Sequence, residues 1–343
     1  MQKKVIITGV AGLIGSHLAY KFLSLGWKVY GIDNLIGGYY SNLPNVTNFT
    51  FIQADILNTQ AIAEHFKEIK ADLVIHCAAL AHEGLSVFSP KTICENIYAG
   101  TVNICSAAIA SGAPMFINTS SMARYGNLPT PFVEDSTPQP IDPYGLAKLH
   151  AEQHLNLMSD IYGIKVYHMV PHNVAGPNQC YSDPFRNVMS IFTNLILNNK
   201  TVYVYGDGLQ KRSFSHVSDC IDAFVSLYEK RDTINSKEVF NIGPSDGTEI
   251  TILDLAHKVG AACNMEPKIQ HMPDRPREVK YAWVDTQKAS GILNYKTLYS
   301  CDDTIKETVE WIKTQPVRCF NYHLPIEIQT ENTPKTWTKK LFN

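Results

Sequence analysis

Short apolar runs alternate with longer amphipathic stretches through the first half of the chain. The run at 5–8 precedes three glycines, Gly9, Gly12 and Gly15, and an amphipathic stretch to about residue 25. Further apolar runs at 29–32, 49–54, 73–77, 115–120 and 166–170 read as strands. Helical patterns fill 88–111 and the stretch from Tyr144 to about residue 162. Strands of continuous rather than alternating hydrophobicity, separated by helices, predict a parallel sheet covered on both faces. Beyond Gly176 the alternation loosens. Helices are expected over 184–199, 219–230, 250–263 and 304–314, with a further one headed by Asp285 and Thr286. Strands are expected over 201–208 and 239–242, and residues 215–219 are expected to return the chain to the sheet. The fold class is therefore α/β: a Rossmann-type doubly wound parallel sheet with a smaller C-terminal α/β substrate lobe. Residues 1–176, with returning segments near 214–243, form the first unit and 177–315 the second. The polar segment 316–343 is unassigned.

Composition narrows the partners. With 45% hydrophobic and 18% charged residues and a formal net charge of -2, the 343-residue chain lacks the basic surface that nucleic acid requires. Eight cysteines show no C-x-x-C pair, so free thiols in a reducing, cytoplasmic setting are expected and no metal site is predicted from them. No apolar run reaches the length of a membrane span or a signal peptide.

The chemistry concentrates in two places. A strand, a glycine turn and a helix start, in that order, suit a dinucleotide pyrophosphate: the glycines permit close approach and the helix N-terminus supplies amides. Asp33-Asn34, about twenty residues on, suits two ribose hydroxyls and repels a 2′-phosphate, favouring NAD over NADP. Ala78, Ala79 and Ala81 leave room for the dinucleotide. The second place is the stretch from Met115 to Lys148. Ser121 follows a strand, and Tyr144 and Lys148 lie four apart on one helical face. A phenol with a reference pKa of about 10 needs a neighbouring cation to act as a base near neutrality. Lys148 is placed to provide it, and Ser121 to share the substrate hydroxyl that Tyr144 deprotonates.

These motifs resemble the extended short-chain dehydrogenase/reductase family, the nucleotide-sugar epimerases and dehydratases, in which T-G-x-x-G-x-x-G opens the chain as Thr8 to Gly15 does here. The resemblance covers about residues 4–315. It implies NAD contacts from Leu13, Ile14, Asp55, Ile56, Asn96 and Pro171 besides the residues above. It also implies nucleotide-sugar contacts from Ser121, Asn173, Asn187, Tyr205, Arg212 and Arg275. Arg277 and Glu278 replace the Gly-Asp of the family's R-P-G-D segment. The family's 4,6-dehydratases carry Thr-Asp-Glu where Ser121, Met122 and Ala123 stand here, its decarboxylases a Glu at Ala123, and its GDP-mannose 3,5-epimerases a nearby Cys. What remains is C4 epimerisation, with a UDP-hexose favoured over GDP, dTDP or CDP sugars. The alternatives are a one-way C4 dehydrogenase or 4-keto reductase and, more remotely, a non-catalytic NAD sensor. The family also implies a homodimer paired through helices 88–111 and 144–162. His76 reads as a packing residue, His172 as a packing residue or a site contact, and Arg124 as solvent-facing or as a reader of an acidic group.

Overall fold

The computed structural model describes residues 2–244, 248–276 and 279–343; Arg277 and Glu278 lie outside them. Among the described residues, seven strands form one parallel sheet: β1 (Lys4–Thr8), β2 (Lys28–Asp33), β3 (Phe49–Gln53), β4 (Leu73–His76), β5 (Met115–Thr119), β6 (Lys165–Pro171) and β7 (Val239–Ile242). Their order is β7-β6-β5-β4-β1-β2-β3. The chain therefore runs outward from β1 to one edge, returns to β4, and runs to the other. The point of return, between β1 and β4, is where an open α/β sheet leaves a crevice at its C-terminal ends.

Both faces are covered. Leu18 and Phe22 of helix Leu13–Ser24 pack with Cys220, Phe224 and Leu227 of helix Val217–Lys230 on one side. On the other, Ile62 and Phe66 meet Ile104 and Leu155 from helices Thr59–Ile69, Gly100–Ala110 and Pro143–Tyr162. Strands buried on both sides must be apolar throughout, as β4 (LVIH) and β5 (MFINT) largely are.

Three expected elements differ. The helix expected over 88–111 starts at Pro90, whose fixed φ suits a first helical turn, and carries a π-helical turn at Glu95–Ala99. The helix expected from 184 starts at Val188. Asn187 stands before it at φ 55 and its side chain accepts from the Ser190 amide. Ser215–His216 does not join the main sheet but pairs with Val174–Ala175, because β7 already occupies the edge of β6.

The second half builds its own core. Thr201–Tyr205 pairs in parallel with Lys268–Met272, and Lys211–Arg212 lies between Ile250–Thr251 and Tyr281–Ala282. Helices Val188–Leu197, Ile252–Cys263 and Cys301–Lys313 bury Leu195, Leu255 and Val309 together. Thr251 caps the second of these helices through the Asp254 amide. Residues 316–343 fold back over the junction of the two halves. The Glu327 carboxylate accepts from the Lys91 and Thr92 amides, and the Trp337 indole donates to the Pro184 carbonyl.

Candidate active site

The glycine turn after β1 is a cradle that only glycine fills. Gly9 has φ +70, and a Cβ there would lie 2.7 Å from the Ala78 amide nitrogen. A Cβ on Gly15 would lie 2.1 Å from the Gly9 carbonyl oxygen, so the first helical turn presses directly on the loop. Gly12 caps that helix without a side chain, leaving its first amides open to the cavity. At the end of β2 the Asp33 carboxylate accepts from the amides of Ala11 (2.9 Å) and Leu35 (2.7 Å). Burial raises its pKa and these hydrogen bonds oppose the rise. A backbone cradle, open helix amides and a sheet-end carboxylate fit a dinucleotide with free ribose hydroxyls.

A cavity of about 300 Å³ follows from this cradle along the strand ends. Gly9, Gly12, Leu13, Ile14, Gly15, Asp33 and Asn34 line its first part; Ile56, Ala78, Ala79, Ala81, Asn96 and Pro171 line its middle. Asn96, in the π-helical turn, accepts from the Leu80 amide at 2.8 Å. Asp55 lies to one side. It accepts from Asn34 Nδ2 (2.9 Å) and from the Leu57 amide, while Asn58 caps the following helix.

Ser121, Tyr144 and Lys148 come together at the far end of this cavity. Asp142 caps helix Pro143–Tyr162 by accepting from the Gly145 amide at 2.8 Å. A Cβ on Gly145 would fall 2.4 Å from the Ala123 carbonyl oxygen, so this helix seats tightly on the turn that begins at Ser121. Burial pushes the Tyr144 phenol up to about 12, while the hydrogen-bonded Ser121 hydroxyl and the Arg186 guanidinium pull it down. Burial also lowers Lys148 to about 8. The sequence assigns phenolate stabilisation to Lys148. In the fold its ammonium lies 6.0 Å from the Tyr144 ring centre and donates to the Thr119 carbonyl at 2.7 Å, with Ser121 and Arg186 lowering the phenol.

A stability prediction follows from the buried ammonium. Between pH 8 and 10.5 the folded state binds fewer protons at Lys148 than the unfolded state, so stability rises with pH through that window. At pH 7 the buried charge costs on the order of 3 kcal/mol, against roughly 1 kcal/mol from its hydrogen bond. Lys148→Met is therefore expected to raise the denaturation midpoint at pH 7, with the advantage shrinking above pH 8. Denaturant titrations of both proteins across that range check it; a constant difference contradicts it.

Arg124 is neither solvent-facing nor a reader of acidic groups. It is buried, with Nη2 at 3.0 Å from the Glu152 carboxylate, which also accepts from the Ser120 hydroxyl. Glu152 lies one helical step beyond Lys148, so Tyr144, Lys148 and Glu152 share a face, and a buried carboxylate there demands a cation. His76 is a packing residue between the Thr8 (2.7 Å) and Thr101 (3.1 Å) hydroxyls. His172 is fully buried and contacts the Asn173 side chain; burial lowers its pKa to about 3.

A second cavity of about 270 Å³ continues the first, and Ala81, Glu83, Asn173, Arg186 and Asn187 line both. Tyr205, Arg212 and Arg275 line the second; the Arg275 guanidinium lies 4.6 Å from the Tyr205 ring centre. Among the lining residues without a signal in the sequence, Arg186, Glu83, Trp337 and Phe342 bear most on the cleft. Arg186 and Glu83 stand where the cavities meet. Arg186 adjoins Asn187, and both line the cleft. Trp337 and Phe342 belong to the unassigned tail and carry no local signal.

A model of the NAD dependent epimerase/dehydratase family matches residues 5–243. UDP-glucose 4-epimerase of Mycolicibacterium smegmatis is 30% identical over 91% of this chain and 99% of its own. dTDP-D-glucose 4,6-dehydratase of Mus musculus is 29% identical over 91% of this chain and 89% of its own. UDP-glucuronic acid 4-epimerase of Bacillus cereus, solved with UDP-glucuronic acid and NAD, superposes with a TM-score of 0.82 at 29% identity, covering 90% and 99% of the two chains.

Proposed function

The chain belongs to the NAD-dependent epimerase/dehydratase family, and we propose that it epimerises C4 of a UDP-linked hexose through a transient 4-keto sugar. The observation that carries this reading is the grouping of Ser121, Tyr144 and Lys148 at the junction of a dinucleotide cavity with a second, aromatic and cationic one. NAD, when bound, supplies the hydride acceptor and returns the hydride. Tyr144, its phenolate favoured by Ser121, Arg186 and the nearby Lys148 ammonium, takes the proton from the sugar O4 and later gives it back. Ser121 holds the same oxygen. Lys148, locked onto the Thr119 carbonyl, fixes one end of the cofactor site and contributes positive charge below pH 8. Gly9 to Gly15 hold the pyrophosphate and Asp33 the ribose hydroxyls. Tyr205 flanks the base, and Arg212 and Arg275 hold the sugar-linked diphosphate through planar, bidentate contacts. Asn173 and Asn187 bind the sugar between them. Asp55, outside the cavity lining, accepts from Asn34 Nδ2 and would act on the adenosine end of NAD by orienting that side chain.

Similarity to a 4,6-dehydratase does not extend to its chemistry. Water elimination needs an acid and a base beside Ser121, and Met122 and Ala123 move no proton. Proton NMR of the protein with UDP-, GDP-, dTDP- and CDP-linked hexoses, hexosamines and hexuronic acids, without added cofactor, tests the proposal. A C4 epimer from a UDP sugar is expected. Conversion that needs stoichiometric NAD or NADH overturns it in favour of a one-way C4 oxidoreductase; cofactor binding without any conversion favours an NAD sensor.

Residues 1–176 with 214–243 are proposed as the NAD unit and 177–315 as the substrate lobe; separate main cores support the division, with Ala289, Leu293 and Tyr295 of the second segment packing into the first core. A homodimer is proposed through helices Gly100–Ala110 and Pro143–Tyr162. Exposed Leu146, Leu157, Ile161 and Tyr162 on the second of them support it, with Tyr98 edge-on to His150 and His154 beside the first. Leu157→Lys with Ile161→Lys is expected to halve the mass measured by light scattering after size exclusion; a monomeric parent protein overturns the dimer. Among the described residues no helix is long and apolar enough to cross a membrane. The free cysteines support a cytoplasmic location.

A further inference from the structure

Three segments far apart in the sequence meet behind the wall of the cleft. His82 lies between Ala81 and Glu83, which line the cleft, and is itself fully buried. Asp183 precedes Pro184, Phe185, Arg186 and Asn187 of the opposite wall and is also buried. His323 comes from the tail. One donor atom from each residue lies within 4.8 Å of the other two.

The hydrogen bonds define which lone pairs are free. His323 Nδ1 lies 2.8 Å from the Asn321 carbonyl, which only an N–H can satisfy. In the neutral ring that arrangement leaves Nε2 as the acceptor, and that atom is buried with no partner. His82 Nε2 sits 2.7 Å from Asp183 Oδ2, and its Nδ1 is likewise buried without a partner. A ring nitrogen bonded to a backbone carbonyl, with the other nitrogen bare, is the configuration of a metal-ligating histidine. An orphaned buried acceptor is costly in an ordinary polar core, so His323 Nε2 beside the His82–Asp183 pair calls for an electrophile.

The geometry points to a divalent cation site formed by His82, Asp183 and His323, of the class that takes zinc. Two imidazoles and one carboxylate form a nitrogen–oxygen set suited to zinc or cobalt and poorly suited to magnesium or calcium. Seating the ion moves the proton of His82 from Nε2 to Nδ1, so both imidazoles bind as neutral ligands and Asp183 as carboxylate. Asp183 and His323 also line a surface cavity of about 440 Å³, which gives the ion access and leaves room for water as a fourth ligand. Arg186 Nε, 3.5 Å from Asp183 Oδ2, opposes the ion and limits its affinity. The consequence is mechanical. The ion pins the tail to both walls of the cleft, one residue from Glu83 and three from Arg186. This inference stands on the cluster alone and holds whatever sugar the cleft accepts.

The test uses the full chain, stripped with a chelator and titrated with cobalt(II), whose visible spectrum reports coordination. One equivalent per chain is expected, with d–d bands of a low-coordinate nitrogen–oxygen site, no thiolate-to-cobalt charge transfer, and displacement by zinc. His323→Ala and His82→Gln, each checked for unchanged circular dichroism and NAD content, are expected to lose that signal. A second readout needs no variant. Saturating zinc is expected to slow protease cleavage within residues 316–343 by about tenfold or more relative to chelator, since an ion that binds only the docked tail shifts its opening equilibrium. Absence of a cobalt equivalent, a thiolate band, or binding that survives His323→Ala overturns the proposal, as does cleavage of the tail at the same rate with and without zinc.

Discussion

Tyr144→Phe is expected to lower kcat for C4 epimerisation by on the order of 10³-fold while leaving bound NAD and the fold intact. Tyr144 belongs to a buried apolar cluster with Leu80, Ala147 and Phe185, and a phenylalanine keeps that apolar surface. The only atom lost is the phenol oxygen. Without it the cleft has Ser121 to hold the sugar hydroxyl but no group to take its proton. Serine cannot replace it, because its side-chain oxygen already accepts from the Ala123 amide at 3.2 Å and it has no base behind it. Removal of a positioned acid–base group typically costs 10²- to 10⁴-fold, about 3–5 kcal/mol of barrier. KM is expected to change little, since the diphosphate and base contacts lie at the other end of the cleft. Steady-state rates, with cofactor content measured on the same sample, check the result. Turnover within about threefold of the parent protein removes Tyr144 from the chemistry.

Legibility in the sequence followed the range of the interactions. The sheet was readable because most residues of its strands are apolar on both faces rather than alternating, and because the glycines of the turn after β1 are required locally. Tyr144 and Lys148 were readable because a helix sets residues four apart on one face. Where partners are distant, reading failed. Arg124 looks like a loop cation until Glu152 is seen facing the sheet rather than solvent; the spacing of Tyr144, Lys148 and Glu152 along one helix was the available signal. The returning segment was misassigned because residues 215–216 and 239–242 have equal local claims to a strand, and only the occupied edge of β6 decides between them. His82, Asp183 and His323 belong to three segments with no spacing to mark them.

The tail is the largest omission, and Trp337→Ala is expected to expose what it does. Its anchors, Phe320, Leu324, Trp337 and Phe342, follow neither a strand nor a helix period, because the segment crosses the surface of two units and touches each at single points. Trp337 is 3% exposed, its ring centre 5.6 Å from Phe185 and 5.9 Å from Phe88, and its indole nitrogen donates to Pro184 at 3.2 Å. Truncation to alanine empties that space, which costs about 3–5 kcal/mol for an aromatic in a packed core and lowers Tm by roughly 5 °C for a chain of this size. The same side chain lines the cavity beside Arg275 and Tyr205, and Thr336 next to it meets the Tyr205 hydroxyl. KM for the nucleotide sugar is therefore expected to rise by at least about tenfold, with kcat nearly unchanged because Ser121, Tyr144 and Lys148 are untouched. Trp337→Phe separates the two effects: it refills most of the volume and restores most of the Tm, and it tests whether the indole hydrogen bond to Pro184 holds the cleft wall in place. A loss of Tm with KM unaltered makes the tail a structural brace alone. A raised KM in both variants makes it part of the substrate site.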